Sequence, residues 1–299
     1  MRICIVGGLG TLGADIVDAY HSKHQLIIID DGLESCLSVN DLPSNVQAVT
    51  ANSSRKENYI RELREFNPEL IIYLATTVSA DQMRGFESVQ GLANICDFGK
   101  ESGKPSILYV QSFLTRDVSE PVNSMSPVCA RESYGTWKMA GEYLLQSYPG
   151  KKTSIILSSV VSPRISVGAI PAFTKRILAG EDLTVTDTYR DYLSPNDFIS
   201  FLDAAISLET WPSECAVGSS KAISTKELAE SVARALGVSL DSFKITVNPP
   251  KITDPKYVVF DTAETEKVFG WKPKEDIYVA IEKCVNSVKS SNKTIRQHH

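Results

Sequence analysis

Residues 2–13 read RICIVGGLGTLG. Ile3, Ile5 and Val6 belong to a short apolar run that stops abruptly at glycine, the pattern of a buried parallel strand feeding a tight turn. The glycines fall in two registers. Gly7, Gly10 and Gly13 recur every third residue, and Gly8-Leu9-Gly10-Thr11-Leu12-Gly13 satisfies G-x-G-x-x-G. Both answer one demand: the chain turns sharply, its backbone comes close to a pyrophosphate, and a helix starts hard against the strand. A helix over about 14–20 is expected next, and its N-terminal end, reached through Thr11 and Leu12, offers free N–H groups and a positive dipole end to phosphate oxygens. A glycine turn with no ligand is the alternative. The next element weighs against it, because the apolar run 25–29 ends in Asp30-Asp31. A carboxylate about 20 residues past the glycines is where an NAD-type ribose is held. Asp30, reinforced by Asp31, would repel a 2′-phosphate, so NAD is expected over NADP.

Outward from that stretch the N-terminal half alternates. Residues 46–49 read as a strand and 55–66 as an amphipathic surface helix ended by Asn67-Pro68. Residues 70–74 (LIIYL) form a buried strand that runs into Ala75, Thr76 and Thr77. A long helix over 86–102 closes at Gly103 with Pro105 beyond it. A strand over 107–110 leads into Gln111-Ser112, a helix covers 133–148, and 153–157 is a sixth strand. Strands that are apolar without alternation, separated by helices, predict an α/β fold: a Rossmann-like, doubly wound parallel sheet covered on both faces. Ligands then bind at the carboxyl ends of the strands. The second half is less regular, with helices over 172–179, 198–208, 225–236, 263–268 and 279–288 and a break at Pro249-Pro250. Ser224 or Thr225 caps the helix over 225–236, with Glu227 in its first turn. The polar tail after Ser290 is expected to lack structure, and His298 and His299 carry no argument.

Composition excludes several classes. The formal net charge is −5 and the pI about 5.5, so no basic stripe is present to meet nucleic acid or an anionic membrane. No apolar run approaches the ~20 residues that span a bilayer. The sequence begins directly in a strand, which leaves no place for a signal peptide, and a cytoplasmic location is expected. Six cysteines are scattered without C-x-x-C pairing and read as reduced, buried thiols. His21 and His24 lack the companions a metal site needs, so no metal is expected.

Tyr134 and Lys138 form Y-x-x-x-K. One helical turn apart, they share a face and can serve one reactive centre. An ammonium beside the phenol favours the phenolate, which would let Tyr134 exchange protons near neutral pH. A pair of surface residues is the alternative. Ser112 weighs against it, since a hydroxyl at a strand end can hold a substrate oxygen beside the tyrosine.

These features together resemble an extended short-chain dehydrogenase/reductase of the NAD-dependent sugar-nucleotide epimerase/dehydratase type. The resemblance rests on the loop 7–13, Asp30, the LIIYLAT strand end over 70–76, Ser112 with Tyr134 and Lys138, RDYLSPNDF over 190–198 and FGWKP over 269–273. It spans nearly the whole chain and is nearest to epimerases of bacterial O-antigen clusters thought to act on nucleotide-linked amino-uronic sugars. It implies an NAD-binding domain over 1–164 plus about 187–218, and a smaller, irregular α/β nucleotide-sugar domain over about 165–186 and 219–299. It implies that Tyr134 is the acid/base, that Lys138 holds the nicotinamide ribose and that Ser112 contacts the reacting sugar oxygen. Leu74, Ala75 and Thr76 would line the cofactor. Phe113 and Ser159 would face the substrate, and Arg190 and Lys251 would grip a diphosphate. Homodimerisation through a four-helix bundle of the helices over 86–102 and 133–148 is implied as well. The chain departs from the family pattern in places. Phe113-Leu114 stand where dehydratases carry Asp-Glu, which argues against 4,6-elimination. Ser88 replaces an asparagine, and Ile156 and Ser159 replace the usual arginine and asparagine. The expected function is a UDP-sugar epimerase. A 4-keto-sugar reductase that consumes NAD(P)H, and a non-catalytic NAD sensor, are the alternatives.

Overall fold

Past Arg2, neither face of the first strand carries a polar residue, so the strand needs cover on both sides. β1 (Arg2–Val6) sends Ile3 and Ile5 to one face and Cys4 and Val6 to the other, all at 0% exposure. A computed structural model gives the fold of residues 1–76, 81–130, 132–251 and 254–296. Thr77 and the terminal histidines lie outside the described residues. After β1 come α1 (Thr11–Tyr20), β2 (Gln25–Asp30), β3 (Val46–Thr50), α2 (Ile60–Phe66), β4 (Leu70–Tyr73), α3 (Gln82–Glu101), β5 (Ser106–Ser112), α4 (Ser133–Gln146) and β6 (Lys152–Leu157). The second half adds β7 (Ser159–Val160), α5 (Ala169–Leu178), β8 (Leu183–Thr186), β9 (Tyr189–Leu193), α6 (Pro195–Ser207), β10 (Glu214–Val217), β11 (Ala222–Ser224), α7 (Thr225–Leu236), β12 (Ile245–Asn248), β13 (Tyr257–Val258), α8 (Ala263–Phe269) and α9 (Ile277–Arg296).

The central sheet has seven strands in the order β10-β6-β5-β4-β1-β2-β3, every pair parallel. Chain order reverses between β1 and β4, and the crevice beyond their carboxyl ends is where such sheets receive ligands. Gly7 follows β1 there, while Leu74 and Ala75 donate their N–H groups to the Val6 carbonyl at 2.8 and 3.0 Å. One face of the sheet is covered by Ile16 and Val17 of α1, Phe198, Phe201 and Leu202 of α6, and Phe269 and Trp271. The other face packs Tyr59, Leu63, Leu92, Ile95, Phe98 and Leu145, from α2, α3, α4 and the turn before α2.

Beyond the sheet, β9 pairs with β7, β11 and β13, and β8 pairs with β12. Helices α5, α7 and α9 enclose a separate apolar cluster that includes Phe173, Leu228, Val232, Ile281 and Val285. Ser224 is the cap of α7, accepting from the Glu227 N–H at 3.0 Å, and Gly237 closes the helix in the left-handed region at φ 71°. Among the described residues no helix is long and apolar enough to cross a membrane.

Several boundaries differ from the sequence expectation for identifiable reasons. α1 begins at Thr11 rather than near residue 14, because Gly10 already serves as the N-cap. α3 begins at Gln82 rather than 86, because the Asp81 carboxylate accepts from the Met83 N–H at 2.9 Å. The segment 55–66 splits into a short 3₁₀ turn and α2. The tail beyond Ser290 continues as helix to Arg296. β10, the seventh strand, and the short strands β7–β9 and β11–β13 were not visible in the sequence. Each has only two to five residues, and each gains its partner from a distant part of the chain.

Phe201 carries much of the packing under α6. Its ring lies 5.0 Å from that of Phe269 and 5.4 Å from that of Trp271, and it is fully buried. Phe201→Ala should lower unfolding free energy by about 3–5 kcal/mol in a urea melt, the cost of a large aromatic cavity.

Candidate active site

The glycine turn is packed tightly enough that each glycine can be assigned a reason. Gly7 has φ 86°, and a Cβ there would stand 2.8 Å from the Ala75 nitrogen. A Cβ on Gly13 would lie 2.3 Å from the Gly7 carbonyl oxygen, and one on Gly8 would lie 2.6 Å from Ile28 Cγ2. Those three glycines let α1 close on the sheet. Gly10 differs: the nearest atom to a Cβ there is 3.6 Å away, and its φ of −70° suits any residue. Nothing packed within the fold requires glycine at Gly10. No side chain caps the helix at Gly10 and no acidic residue stands in its first turn. The N–H groups of Thr11, Leu12 and Gly13 therefore begin a helix whose positive end is not neutralised, which suits a pyrophosphate.

Asp30 ties this turn to the loop after β2. Its carboxylate accepts from Leu9 N at 3.0 Å, Gly32 N at 2.8 Å and Ser35 Oγ at 3.3 Å. Asp31 is engaged differently, accepting from Leu33 N at 3.0 Å and pairing with Arg84 at 3.3 Å. Arg84, at the start of α3, also reaches Glu34 at 3.4 Å and closes this end of the crevice. No sequence motif marks Arg84. Leu74, Ala75 and Thr76 are half-buried at the end of β4, with Ala75 against Gly7.

On the neighbouring strand, Ser112 ends β5 and its Oγ accepts from Leu114 N at 3.2 Å, capping the 3₁₀ turn 113–115. Tyr134 lies in the first turn of α4. A Cβ on the adjacent Gly135 would stand 2.6 Å from the Leu114 carbonyl oxygen, so α4 starts directly against the turn that Ser112 caps. Lys138, one helical turn on, is buried and donates from Nζ to the Val110 carbonyl at 2.7 Å. Its Nζ is 5.9 Å from the Tyr134 ring centroid and 5.1 Å from that of Tyr109. The fold thus gathers Ser112, Tyr134 and Lys138 at one corner of the sheet. The titration expectation needs correction. Burial pushes the Tyr134 phenol up to about 12 and brings the Lys138 ammonium down to about 7. Desolvation is the cause of both shifts, and the phenol is raised, not depressed.

The expected substrate contacts are less tightly gathered. Arg190, on β9, pairs with Asp254 and not with Asp191 or Asp197. Asp191 is taken by Ser219 N at 2.8 Å and Phe260 N at 3.2 Å, and Asp197 by Lys274 N at 2.8 Å and Glu275 N at 3.1 Å. Lys251 is exposed. Ser159 is half-buried on β7, in register with Tyr192. It is the preceding Ser158 whose hydroxyl is buried without a hydrogen-bond partner among the described residues. Ile156 is a core residue, and Phe113 packs against the cluster that contains it with Val122 and Phe260. His24 sits edge-on to Tyr20 with ring centroids 5.0 Å apart, and no group of three or more His, Cys, Asp or Glu that could hold a metal occurs among the described residues.

A family model described as the NAD dependent epimerase/dehydratase family matches residues 3–213. The chain belongs to that family. Membership makes NAD the cofactor, and the cradle at Gly10 and the carboxylate of Asp30 fit its pyrophosphate and ribose. Among solved structures, the Bordetella bronchiseptica enzyme WbmG, in complex with NAD and UDP, is 27% identical, with 97% of this chain and 96% of that chain covered at a TM-score of 0.90. UDP-glucose 4-epimerase from Thermus thermophilus, in complex with NAD, is 23% identical with 97% and 99% covered at 0.83. UDP-N-acetylglucosamine 4-epimerase from Methanobrevibacter ruminantium is 18% identical with 97% and 98% covered at 0.85. At those lower identities the last two show the shared fold.

The glycine geometry separates folding from binding. Gly10→Ala should keep the melting temperature within about 2 °C while weakening NAD binding at least about tenfold in calorimetry, because the methyl group stands where the phosphates approach. Gly13→Ala should cost about 1–3 kcal/mol of stability through overpacking against the Gly7 carbonyl.

Proposed function

We propose that the chain is an NAD-dependent nucleotide-sugar epimerase that oxidises its substrate transiently at C4. The observation that carries this reading is the corner formed by β5 and α4. Ser112, Tyr134 and Lys138 meet there beside the dinucleotide crevice, with Phe113-Leu114 in place of carboxyl groups. When bound, NAD supplies reversible hydride acceptance at the sugar carbon. The rest falls to the protein. Ser112 Oγ holds the C4 oxygen, and Tyr134 Oη takes the hydroxyl proton and returns it after the 4-keto sugar has turned over in the pocket. Lys138 sits one turn away, and a cationic neighbour at the phenol favours the phenolate that burial alone disfavours. Neither Phe113 nor Leu114 can transfer a proton, so 4,6-elimination has no acid/base at that position. Leu74, Ala75 and Thr76 line the cofactor, Phe113 and Ser159 border the sugar, and Arg190 and Lys251 hold the diphosphate. For this Arg190 exchanges its Asp254 partner for phosphate oxygens.

A UDP-linked sugar is the proposed substrate, supported by the likeness to WbmG, and the resemblance to O-antigen-cluster epimerases puts UDP-amino-uronic sugars first for testing. We place the nucleotide-sugar lobe at about 165–186 and 219–299. All six cysteines are free, four of them buried, which fits a reducing cytoplasm. Met83, Phe86 and Tyr143 are exposed on α3 and α4 at 66%, 50% and 54%, which supports a homodimer through those helices. A dimer mass in light scattering, shifted to monomer by Phe86→Glu, is the expected result.

Tyr134→Phe should lower epimerisation of UDP-sugars, followed by NMR of the product, by about 10²–10⁴-fold while NAD is retained on purification. Unchanged turnover in that variant would refute the assignment. Net consumption of one NADH per turnover by the wild type would mark a 4-keto-sugar reductase instead, and NAD binding without turnover of any nucleotide sugar would mark a sensor.

A further inference from the structure

Arg116 belongs to no motif, yet its side chain has 0% exposure and that of Glu142 only 2%. A cation in the interior is costly unless it is paired and fully hydrogen-bonded. Arg116 Nη2 donates to both oxygens of Glu142, at 2.9 Å each, and to Glu214 Oε2 at 2.7 Å. Its Nη1 donates to Thr115 Oγ1 at 3.0 Å. The Thr115 hydroxyl in turn donates to the Ser112 carbonyl at 2.7 Å. On the other side of Glu142, Gln111 Nε2 donates to Glu142 Oε2 at 2.8 Å and to the Lys138 carbonyl at 2.9 Å, where the Tyr109 hydroxyl also donates at 3.1 Å. Gln111 Oε1 accepts from Ser112 N at 3.2 Å.

The bonds form a closed circuit. It leaves Ser112 through its carbonyl, passes through Thr115, Arg116, Glu142 and Gln111, and returns to the Ser112 amide, with the backbone of Lys138 attached through Gln111. Donors and acceptors match along the circuit, and Arg116 Nε stands outside it, buried without a hydrogen-bond partner among the described residues. Glu214, at the start of β10, anchors the circuit to the edge strand of the sheet. Apolar residues could fill the same volume, and often do so at no loss of stability. What apolar packing lacks is direction, whereas charge-assisted hydrogen bonds fix the angle between the elements that they join.

We propose that Arg116 and Glu142 are positioning residues: through Thr115 and Gln111 they hold the Ser112 strand end and the Lys138 turn of α4 in fixed relation, so that sugar oxygen, phenol and ammonium stay aligned. The inference rests on the reading of Ser112, Tyr134 and Lys138 as the proton-transfer set. A purely structural role for the cluster would affect stability. A positioning role affects turnover at constant stability and couples two segments far apart in sequence.

Two variants test this without leaving a fully buried lone charge, since the Glu214 side chain keeps 22% exposure to water. R116M/E142L replaces the ion pair by apolar side chains, and Thr115→Val cuts the circuit between Ser112 and Arg116. Both should melt within about 5 °C of wild type. On the UDP-sugar that the wild type epimerises, KM should be unchanged and kcat should fall about 100-fold, the cost of an ångström-scale misplacement. In hydrogen–deuterium exchange, Thr115→Val should speed exchange in 133–146 as well as in its own segment 106–117, by about fivefold or more. Wild-type kcat in either folded variant, or exchange altered in 106–117 alone, overturns the proposal. If R116M/E142L fails to fold, Thr115→Val decides. If the wild type turns over no nucleotide sugar, the epimerase reading fails while the exchange result still judges the coupling.

Discussion

The approach of α1 to the central sheet is the constraint on which the rest of the molecule depends. It is possible because the Gly7 carbonyl, the Gly8 backbone and the Gly13 Cα come within distances at which no side chain fits. Closing that contact sets the helix start at the switch point between β1 and β4, fixes the carboxylate of Asp30 against Leu9, and leaves Gly10 bare on the outer side. A dinucleotide cradle follows from packing: the requirement that helix meet strand closely is the same one that exposes backbone N–H groups to a phosphate.

A second contact of the same kind builds the corner that holds Ser112, Tyr134 and Lys138. Gly135 admits the Leu114 carbonyl to the start of α4, and Gly141, where a Cβ would meet the Tyr109 hydroxyl at 2.5 Å, brings the middle of that helix down onto β5. With helix and strand so close, Lys138 is buried and its ammonium donates a hydrogen bond to the Val110 carbonyl. Burial then moves Tyr134 and Lys138 in opposite directions, toward their neutral forms.

Much of this was legible in the chain. The spacing of Gly7, Gly10 and Gly13, the carboxylate at Asp30, and the apolar runs that became β1, β2, β4, β5 and β6 are local signals, because parallel strands buried on both faces leave no polar alternation to hide. Y-x-x-x-K is likewise local, since one helical turn joins its members. The short strands β7–β13 were not legible, because two to five residues gain strand geometry only from partners far away in sequence. Arg84 and Arg116 were missed for a related reason: an arginine reads as surface charge until its carboxylates, Asp31 and Glu34 in one case and Glu142 and Glu214 in the other, are seen around it. Arg190 and Asp191 are adjacent in sequence yet do not pair, because neighbours on a strand point to opposite faces, and Asp191 is turned into the core toward Ser219 and Phe260.

The sequence by itself determined the class of sheet, the place of the glycine turn, the carboxylate that closes β2 and the candidate hydroxyl, phenol and amine groups, because each is written in spacing along one or two elements. The tertiary structure decided what those groups experience. It buried Lys138, paired Asp31 with Arg84 and Arg190 with Asp254, and closed a ring of hydrogen bonds from Ser112 through a fully buried arginine. Burial, partner choice and titration are set by what the fold brings within a few ångströms, and those neighbours come from distant stretches of the chain.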